Sequence, residues 1–148
     1  MSEKSLKIGS TLMFGMGVFA LIMSILWIFV TEIMFVSDFM HYTGGAFEDY
    51  LSASPIYAEI YMITKKLVGF MILASAVPIL FITHTSYQKG ERWSWFALFI
   101  TGGLLWGTLL GYRIFIGYIG GSSITFVAGL ALWFLALLIP FKDFFGKE

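Results

Sequence analysis

Four long stretches of this sequence contain no Asp, Glu, Lys or Arg, and they limit the possible folds more than any other feature. They cover residues 8–31, 67–88, 93–112 and 114–141. Each stretch exceeds the roughly 18 apolar residues that indicate a membrane-spanning helix. Only 12% of the 148 residues are charged, whereas about a quarter are charged in a soluble domain. The sequence therefore predicts an all-α, polytopic membrane protein with four transmembrane helices in a bundle.

Composition also excludes several classes of function. The net charge is zero, and no basic segment offers a surface for nucleic acid. The chain has no Cys, which excludes disulfides, thiolate-bound metals and dithiol redox chemistry. The two histidines, His41 and His84, lie outside the apolar centres of the spans, so this chain alone does not hold a haem between two helices. We expect no catalytic constellation and no cofactor, and we expect bound lipid.

The four predicted spans belong to a single domain that covers residues 1–148. The spans are about residues 8–33, 67–83, 95–118 and 124–141. The first apolar run is longer than the roughly 7–15 residues of a signal-peptide core, so we expect it to be retained as a helix.

The longest connection, residues 34–66, joins the first two spans. It contains four of the seven tyrosines, and tyrosine prefers the headgroup layer, where its ring is buried and its hydroxyl stays hydrated. We therefore expect this segment to lie along the outer membrane surface. Within it, Ser54 and Pro55 form a typical helix start. A helix is expected to run from Pro55 into the second span, with a kink at Pro78.

The distribution of basic residues predicts the orientation. Four spans place both termini on one side of the membrane, and the side with more Lys and Arg is the cytoplasmic one. The terminal side has Lys4, Lys7, Lys89, Arg92, Lys142 and Lys147, and the opposite side has Lys65, Lys66 and Arg113. The sequence therefore predicts a multi-pass protein of the cell membrane with cytoplasmic N and C termini.

Small residues recur at intervals of four on the last two spans. They are Gly103, Gly107 and Gly111 on the third span, and Gly121, Thr125 and Gly129 on the fourth. Helices in a membrane associate through close backbone approach and dispersion, which small residues permit. We expect these six residues to pack the two spans as a tight antiparallel hairpin.

Arg113 is the charged residue that most needs a partner, because it lies near the end of the third span with further apolar residues after it. Glu32, at the far end of the first span, reaches a similar depth in this topology. We predict an ion pair between Glu32 and Arg113. Two interpretations of the pair stay open, a structural role and a site for a substrate anion or a proton.

Four residues place carboxylates and an imidazole on the connection between the first two spans. They are Asp38, His41, Glu48 and Asp49. Such ligands suit a divalent metal ion if the segment folds so that they converge. These residues are the candidate metal ligands, and the alternative is a hydrated acidic face of the same composition.

A basic and aromatic junction precedes the third span. Its residues are Tyr87-x-Lys89-Gly90-Glu91-Arg92-Trp93-x-Trp95-x-Ala97-Leu98. This segment resembles a loop-to-helix junction of small uncharacterised four-helix membrane proteins, including DoxX-like ones. The resemblance covers 12 of the 148 residues. It implies a four-helix fold and carries over no activity.

These observations favour a role without catalysis. We predict an accessory or structural subunit of a larger multi-subunit membrane complex, such as an energy-transducing or metal-dependent membrane oxidase assembly. The expected partners are other integral membrane subunits and lipids, and no nucleic acid. The 16 Phe, 8 Met and 16 Gly suit packing against helices or lipid. The alternative is a small oligomeric transporter or a lipid-binding membrane protein.

Overall fold

The computed structural model describes the backbone of residues 3–117 and 121–146, and their side chains except those of Glu3 and residues 121–125. Every regular element in this part of the chain is helical. The helices are α1 (Glu3–Phe29), α2 (Thr31–Thr43), α3 (Phe47–Ala53), α4 (Pro55–Thr85), α5 (Arg92–Phe115), α6 (Gly121–Leu138) and α7 (Phe141–Phe145). A short 3-10 turn, Tyr87–Lys89, precedes α5.

Four of the described helical segments are long and apolar enough to cross a membrane. They are Lys4–Phe29, Pro55–Lys89, Arg92–Phe115 and Phe126–Phe145. A helix suits that environment because it satisfies its backbone polar groups within the segment. The predicted all-helical fold with four candidate membrane spans is therefore confirmed.

The second candidate span is mostly one continuous helix, α4, of 31 residues. It begins at Pro55, a residue favoured at the first helical position because its missing N–H would have no partner there. It continues past Pro78 to Thr85. The helix therefore extends well before the apolar stretch that starts at residue 67, and it carries Lys65 in this extension.

Glycines allow α1 and α4 to pack closely. Within the described chain, α1 contacts α4 more extensively than any other helix, and it also contacts α6. A Cβ added to Gly17 would lie 2.7 Å from the side chain of Leu80, and one added to Gly69 would lie 2.9 Å from the Cβ of Trp27. These two glycines therefore set how near the helices approach.

Tryptophans packed on glycines hold α5 and α6 together. A Cβ added to Gly102 of α5 would overlap the indole of Trp133, and one added to Gly129 of α6 would overlap the indole of Trp106. Both indoles are buried. A glycine of each helix therefore packs against an indole of the other helix, and these contacts determine the distance between α5 and α6.

The other small residues expected in this hairpin have different surroundings. A Cβ added to Gly103 would be 3.5 Å from the α6 indole, an ordinary contact, whereas no described atom lies within 4 Å of one added to Gly107 or Gly111. The described part of α6 therefore packs on α5 through the two indoles, and the expected contact of Gly107 and Gly111 with the start of α6 stays a prediction. The side-chain surroundings of Gly121 and Thr125 lie outside the described residues.

Helices α2 and α3, with the start of α4, form one end of the bundle, which we call the loop end. Aromatic rings hold it together, with centroids of neighbouring rings between 4.9 and 6.3 Å apart. The rings belong to Phe35, Phe39, Phe47, Tyr50 and Tyr61. This cluster fixes α2 against α4 and so determines where the polar side chains of α2 lie.

Helix α7 and the 3-10 turn form the opposite end, which we call the terminal end. Here the hydroxyl of Tyr87 donates to the carbonyl of Ala136 at 2.6 Å, and the indole N–H of Trp95 donates to the carbonyl of Leu137 at 3.0 Å. Tyr87 is fully buried. Direct hydrogen bonds between helices therefore satisfy these buried polar groups.

Candidate functional site

A break between α1 and α2 turns an acidic side chain into the bundle. α1 ends at Phe29, Val30 has the non-helical angles φ −121° and ψ 38°, and α2 starts at Thr31. Beyond the break, Phe39 packs into the aromatic cluster of the loop end. The neighbouring Asp38 is 2% exposed. The break therefore allows a carboxylate of the connecting segment to reach the interior.

Asp38 forms a buried ion pair with Arg113 of α5. Its Oδ1 accepts a hydrogen bond from Nη1 of the guanidinium, and both side chains are buried. The guanidinium carbon also lies 5.1 Å from the centre of the Phe126 ring. A charge at this depth needs its partner, because desolvation of an unpaired ion is costly.

The expected ion pair between Glu32 and Arg113 is therefore wrong. Glu32 is exposed in the first turn of α2 and lines a separate cavity together with Lys66. The prediction treated the first span as one helix to residue 33, whereas the structure breaks it at Val30. The new helix then presents Asp38, not Glu32, to α5.

Lys65 of α4 is the second buried cation at the loop end. It is 9% exposed, and its Nζ donates to the hydroxyl of Tyr112 at 2.8 Å. The Nζ lies 4.6 Å from the ring centre of Tyr112 and 5.0 Å from that of Tyr61, within the range of cation–π attraction. Among the described residues, no carboxylate forms an ion pair with Lys65.

The buried charges at the loop end do not cancel. Asp38 is negative, whereas Lys65 and Arg113 are positive, and all three line the same small chamber. The cluster therefore has one positive charge in excess. Water screens such a charge poorly in the interior of a protein, so the arrangement favours an anion close to Lys65.

Two cavities adjoin this cluster. The larger, which we call the loop-end cavity, has a volume of about 840 Å³ and opens at the surface between α2, α3, α4 and α5. The smaller, which we call the buried chamber, has a volume of about 150 Å³ and is more enclosed. Asp38, Lys65 and Tyr112 line both cavities and form the wall between them.

The buried chamber contains the residues of two unsatisfied polar atoms. Trp27 of α1 lines it together with Asp38. Neither the Nε1 of Trp27 nor the Oδ2 of Asp38 has a hydrogen-bond partner within the described chain. Native proteins rarely leave buried polar atoms unpaired, so each such atom calls for an explanation.

The candidate metal ligands do not converge. Among the described residues, no three His, Asp or Glu side chains are placed to hold a metal ion. The carboxylate of Asp38 is buried against Arg113, whereas His41, Glu48 and Asp49 are exposed. These three are on the surface because the aromatic side chains of α2 and α3 take the interior positions.

A further large cavity lies at the terminal end, between α1 and α4. Its volume is about 870 Å³, and its lining includes Lys4, Lys7 and His84. All three side chains are exposed, so their charges are hydrated and screened. The loop end differs from this cavity because its charged side chains, Asp38, Lys65 and Arg113, are buried and water does not screen them.

The junction that precedes α5 has a local structure of its own. The indole N–H of Trp93 donates to Oε2 of Glu91 at 2.6 Å. This hydrogen bond, with a second one from Ser86, holds the pKa of Glu91 below its usual value because both favour the carboxylate. Glu91 is therefore a carboxylate at neutral pH that orders the start of α5, away from the loop-end site.

Lys65 and Trp27 are the site residues that sequence reasoning missed. A signal for Lys65 existed in the sequence, because the apolar Ala58 and Ile72 lie seven positions before and after it, whereas a charged residue, Glu59, lies seven positions before Lys66. Residues spaced by seven share one helix face, so Lys65 is on the buried face whereas the adjacent Lys66 is not. For Trp27 there was no such signal, since its missing hydrogen bond depends on the surrounding helices.

These features define the class of protein, a helical chain with four candidate membrane spans and a buried charged cluster at one end. No family model, no curated protein and no solved structure matches the chain. The resemblance of residues 87–98 to the junction of DoxX-like proteins therefore stays a prediction.

Proposed function

We propose that this protein binds an amphipathic anion, a lipid or lipid-like molecule, in the loop-end cavity. The observation that supports this most directly is the state of Lys65. This lysine is buried, pairs with no carboxylate of the described chain and lines a cavity large enough for a ligand. In this proposal the anionic head group binds Lys65.

The chemistry of Lys65 suits a carboxylate or a phosphate. Its ammonium group has three N–H donors, and Tyr112 accepts one of them. Tyr61 is a second hydrogen-bond partner of the ammonium group. The third donor is available for a charge-assisted hydrogen bond to an anion, which is stronger than a neutral one. The carboxylate of Asp49 also lines this cavity and repels an anion. It is exposed, however, so water screens its charge.

The walls of the loop-end cavity suit the apolar part of such a ligand. Aromatic side chains supply much of the lining, and its volume of about 840 Å³ is within the roughly 300–1,000 Å³ of small-molecule sites. The aromatic lining residues are Phe39, Tyr42, Tyr50, Tyr61, Tyr112 and Phe115. A molecule with a charged head and an apolar body therefore matches both parts of the cavity.

Two adjacent lysines offer a matched test. We expect protein purified in mild detergent to retain an anionic amphiphile that native mass spectrometry detects and identifies. Lys65→Met should abolish this retention, because it removes the buried charge while keeping a similar side-chain length. Lys66→Met should leave it unchanged, because Lys66 is exposed and lines a different cavity. Equal retention by Lys65→Met and the unmodified protein would contradict the proposal.

We also propose that the protein is in the cell membrane with cytoplasmic termini. The support is the excess of Lys and Arg on the terminal side, six against three. In this orientation the loop-end cavity faces the outer leaflet, from which an amphiphile could enter it. Labelling of single introduced cysteines tests the orientation, as described in the Discussion.

A role as an accessory subunit of a membrane complex remains the second proposal. The observation that favours it is the bare strip at Gly107 and Gly111 of α5, where no atom of the described residues lies within 4 Å of an added Cβ. A helix of another membrane subunit could approach closely there. We expect Gly107→Leu to reduce co-purification of a partner subunit, and Ala131→Leu, an exposed position on α6, to leave it unchanged. Purification without any partner would contradict this role.

A further inference from the structure

The terminal end has a basic cavity between α1 and α4, which we call the terminal-end cavity. Its volume is about 870 Å³. Lys4 and Lys7 of α1 and His84 of α4 line it, and all three side chains are exposed. A molecule inside the cavity can therefore reach two ammonium groups and an imidazole.

No carboxylate among the described side chains offsets this charge inside the cavity, because none of those that line it is Asp or Glu. Asp143, on α7, accepts a hydrogen bond from Ser5 and does not line the cavity. Within the described chain, no ion pair involves Lys4 or Lys7. The cavity therefore favours an anion, which the ammonium groups can bind through charge-assisted hydrogen bonds.

The position of the cavity places this charge at the membrane boundary. Lys4 is the first residue of the first candidate span, and His84 is near the end of the second. Lipid head groups lie at this depth when the helices cross a bilayer. Basic pockets between membrane-spanning helices bind the head groups of anionic lipids. The location therefore favours a lipid over a soluble anion.

An apolar path for an acyl chain begins at the same cavity. Leu6 and Phe14 add apolar surface to its lining. Thr11 lines both this cavity and a groove of about 320 Å³ between α1 and α6, which we call the α1–α6 groove. Apart from Thr11, the residues that line the groove are apolar or glycine. A molecule with a charged head and an apolar chain therefore matches the two cavities together.

We propose that the terminal-end cavity binds the phosphate head group of an anionic phospholipid. The phosphate accepts hydrogen bonds from Lys4, Lys7 and His84, and one acyl chain passes Thr11 into the α1–α6 groove. The loop-end cavity has no lining residue in common with the terminal-end cavity. This second site is therefore separate from the proposed function and does not rest on it.

Two lipids with the same acyl chains test the charge. We would titrate phosphatidylglycerol and phosphatidylcholine into the delipidated full chain in a neutral maltoside detergent and count bound lipids by native mass spectrometry. Both lipids have a phosphate, but the two lysines repel the trimethylammonium group of phosphatidylcholine. Each lysine near an anionic membrane surface contributes roughly fivefold in affinity. We therefore expect phosphatidylglycerol to bind at least about tenfold more tightly, and equal affinities would overturn the proposal.

Two double variants with the same net charge test the location. Lys4→Gln with Lys7→Gln should weaken phosphatidylglycerol by roughly 10- to 30-fold, because both lysines of the cavity are lost. Lys89→Gln with Lys142→Gln is the matched control, since these lysines are exposed at the terminal end and do not line the cavity. We expect the control to leave the affinity unchanged. Equal losses in the two variants would indicate a diffuse effect of charge and overturn the site.

Inorganic phosphate and a groove variant distinguish a lipid from a free anion. Inorganic phosphate has the same acceptor oxygens but no acyl chain, so we expect an excess of it not to displace phosphatidylglycerol. Gly15→Leu should weaken both lipids, because it fills the α1–α6 groove, where no described atom lies within 4 Å of an added Cβ. Displacement by inorganic phosphate, or unchanged lipid affinity in Gly15→Leu, would overturn the assignment of a phospholipid.

This inference and the amphiphile proposal can fail separately. Lys65→Met should lose the amphiphile of the loop-end cavity and keep the preference for phosphatidylglycerol, whereas Lys4→Gln with Lys7→Gln should do the reverse. Added salt should weaken phosphatidylglycerol, because exposed charges are screened far more than buried ones. An affinity for phosphatidylglycerol that falls as much in Lys65→Met as in the double variant would contradict a separate site at the terminal end.

Discussion

Asp38 and Arg113 illustrate how single residues determine the stability of the loop end. The two side chains are buried against each other, 75 residues apart in the sequence. Removing one member of a buried pair leaves an uncompensated charge and costs about 3–5 kcal/mol, whereas replacing both with apolar residues of similar volume is often neutral. Replacing either residue alone should therefore destabilise the protein strongly, whereas replacing both with apolar residues should not.

Substitution of Asp38 tests this pairing. We expect Asp38→Asn to lower the free energy of unfolding by about 3–5 kcal/mol and the double variant Asp38→Leu with Arg113→Met to recover most of the loss. Chemical unfolding in detergent micelles, followed by circular dichroism, measures both. Glu32→Gln is the control, because Glu32 is exposed and such substitutions stay within about 0.5 kcal/mol. A loss in Glu32→Gln as large as in Asp38→Asn would restore the pairing predicted from sequence.

At the scale of helices, glycines on α5 separate into packed and unpacked ones. Gly102 lies directly against the indole of Trp133, whereas no described atom lies within 4 Å of a Cβ added to Gly107. Both are glycines on the same apolar helix, and only their helical phase differs. A regular spacing of small residues therefore identifies a candidate face but not the face that is used.

Alanine substitutions distinguish these two glycines. We expect Gly102→Ala to destabilise the protein by about 1–3 kcal/mol, as in other overpacked cores, because the new methyl group overlaps Trp133. Gly107→Ala should not destabilise it, since the methyl group would contact no atom of the described chain. Thermal unfolding in micelles compares the two. If Gly107→Ala were the more harmful, α5 would pack through the strip predicted from sequence.

Helices α1, α2 and α4 differ in how far they could be predicted. The start of α4 at Pro55 follows from Ser54 and Pro55, and its seven-residue period assigns Lys65 to the buried face. The break at Val30 had no local signal, because an apolar β-branched residue within an apolar run is compatible with a continuous helix. The packing of Phe35 and Phe39 on α4 decides it.

At the scale of the whole molecule, the two ends are built differently. The terminal end pairs Tyr87 and Trp95 with backbone carbonyls, although the hydroxyl of Ser10 has no partner among the described residues. The loop end keeps an excess positive charge and two unsatisfied atoms beside two cavities. A ligand would therefore contribute more to the loop end, which is where we place the proposed amphiphile.

Single cysteines can establish the orientation of these ends. The chain has no native Cys, so each introduced thiol is the only one that can react. With cytoplasmic termini, Ser52→Cys at the loop end should react with a membrane-impermeant maleimide in intact cells. Gln88→Cys at the terminal end should react only after the membrane is permeabilised. Both positions are exposed in the structure.

The reverse labelling pattern would show that the termini are outside the cell. Reaction of both thiols in intact cells would contradict a membrane-spanning bundle. In either case the stability predictions for Asp38 and Gly102 would stand, because they depend on packing within the bundle and not on its orientation.

The sequence by itself determined that this chain is helical and has four candidate membrane spans, because length and the absence of charge are local properties of each stretch. It also determined which charged and aromatic residues were present for a site. Only the tertiary structure decided which of them meet. Asp38 reaches Arg113, Lys65 is buried and Trp27 lines a chamber because a break at Val30 and a cluster of aromatic rings direct α2 onto distant helices. Such contacts depend on packing between segments far apart in the chain, which no local pattern records.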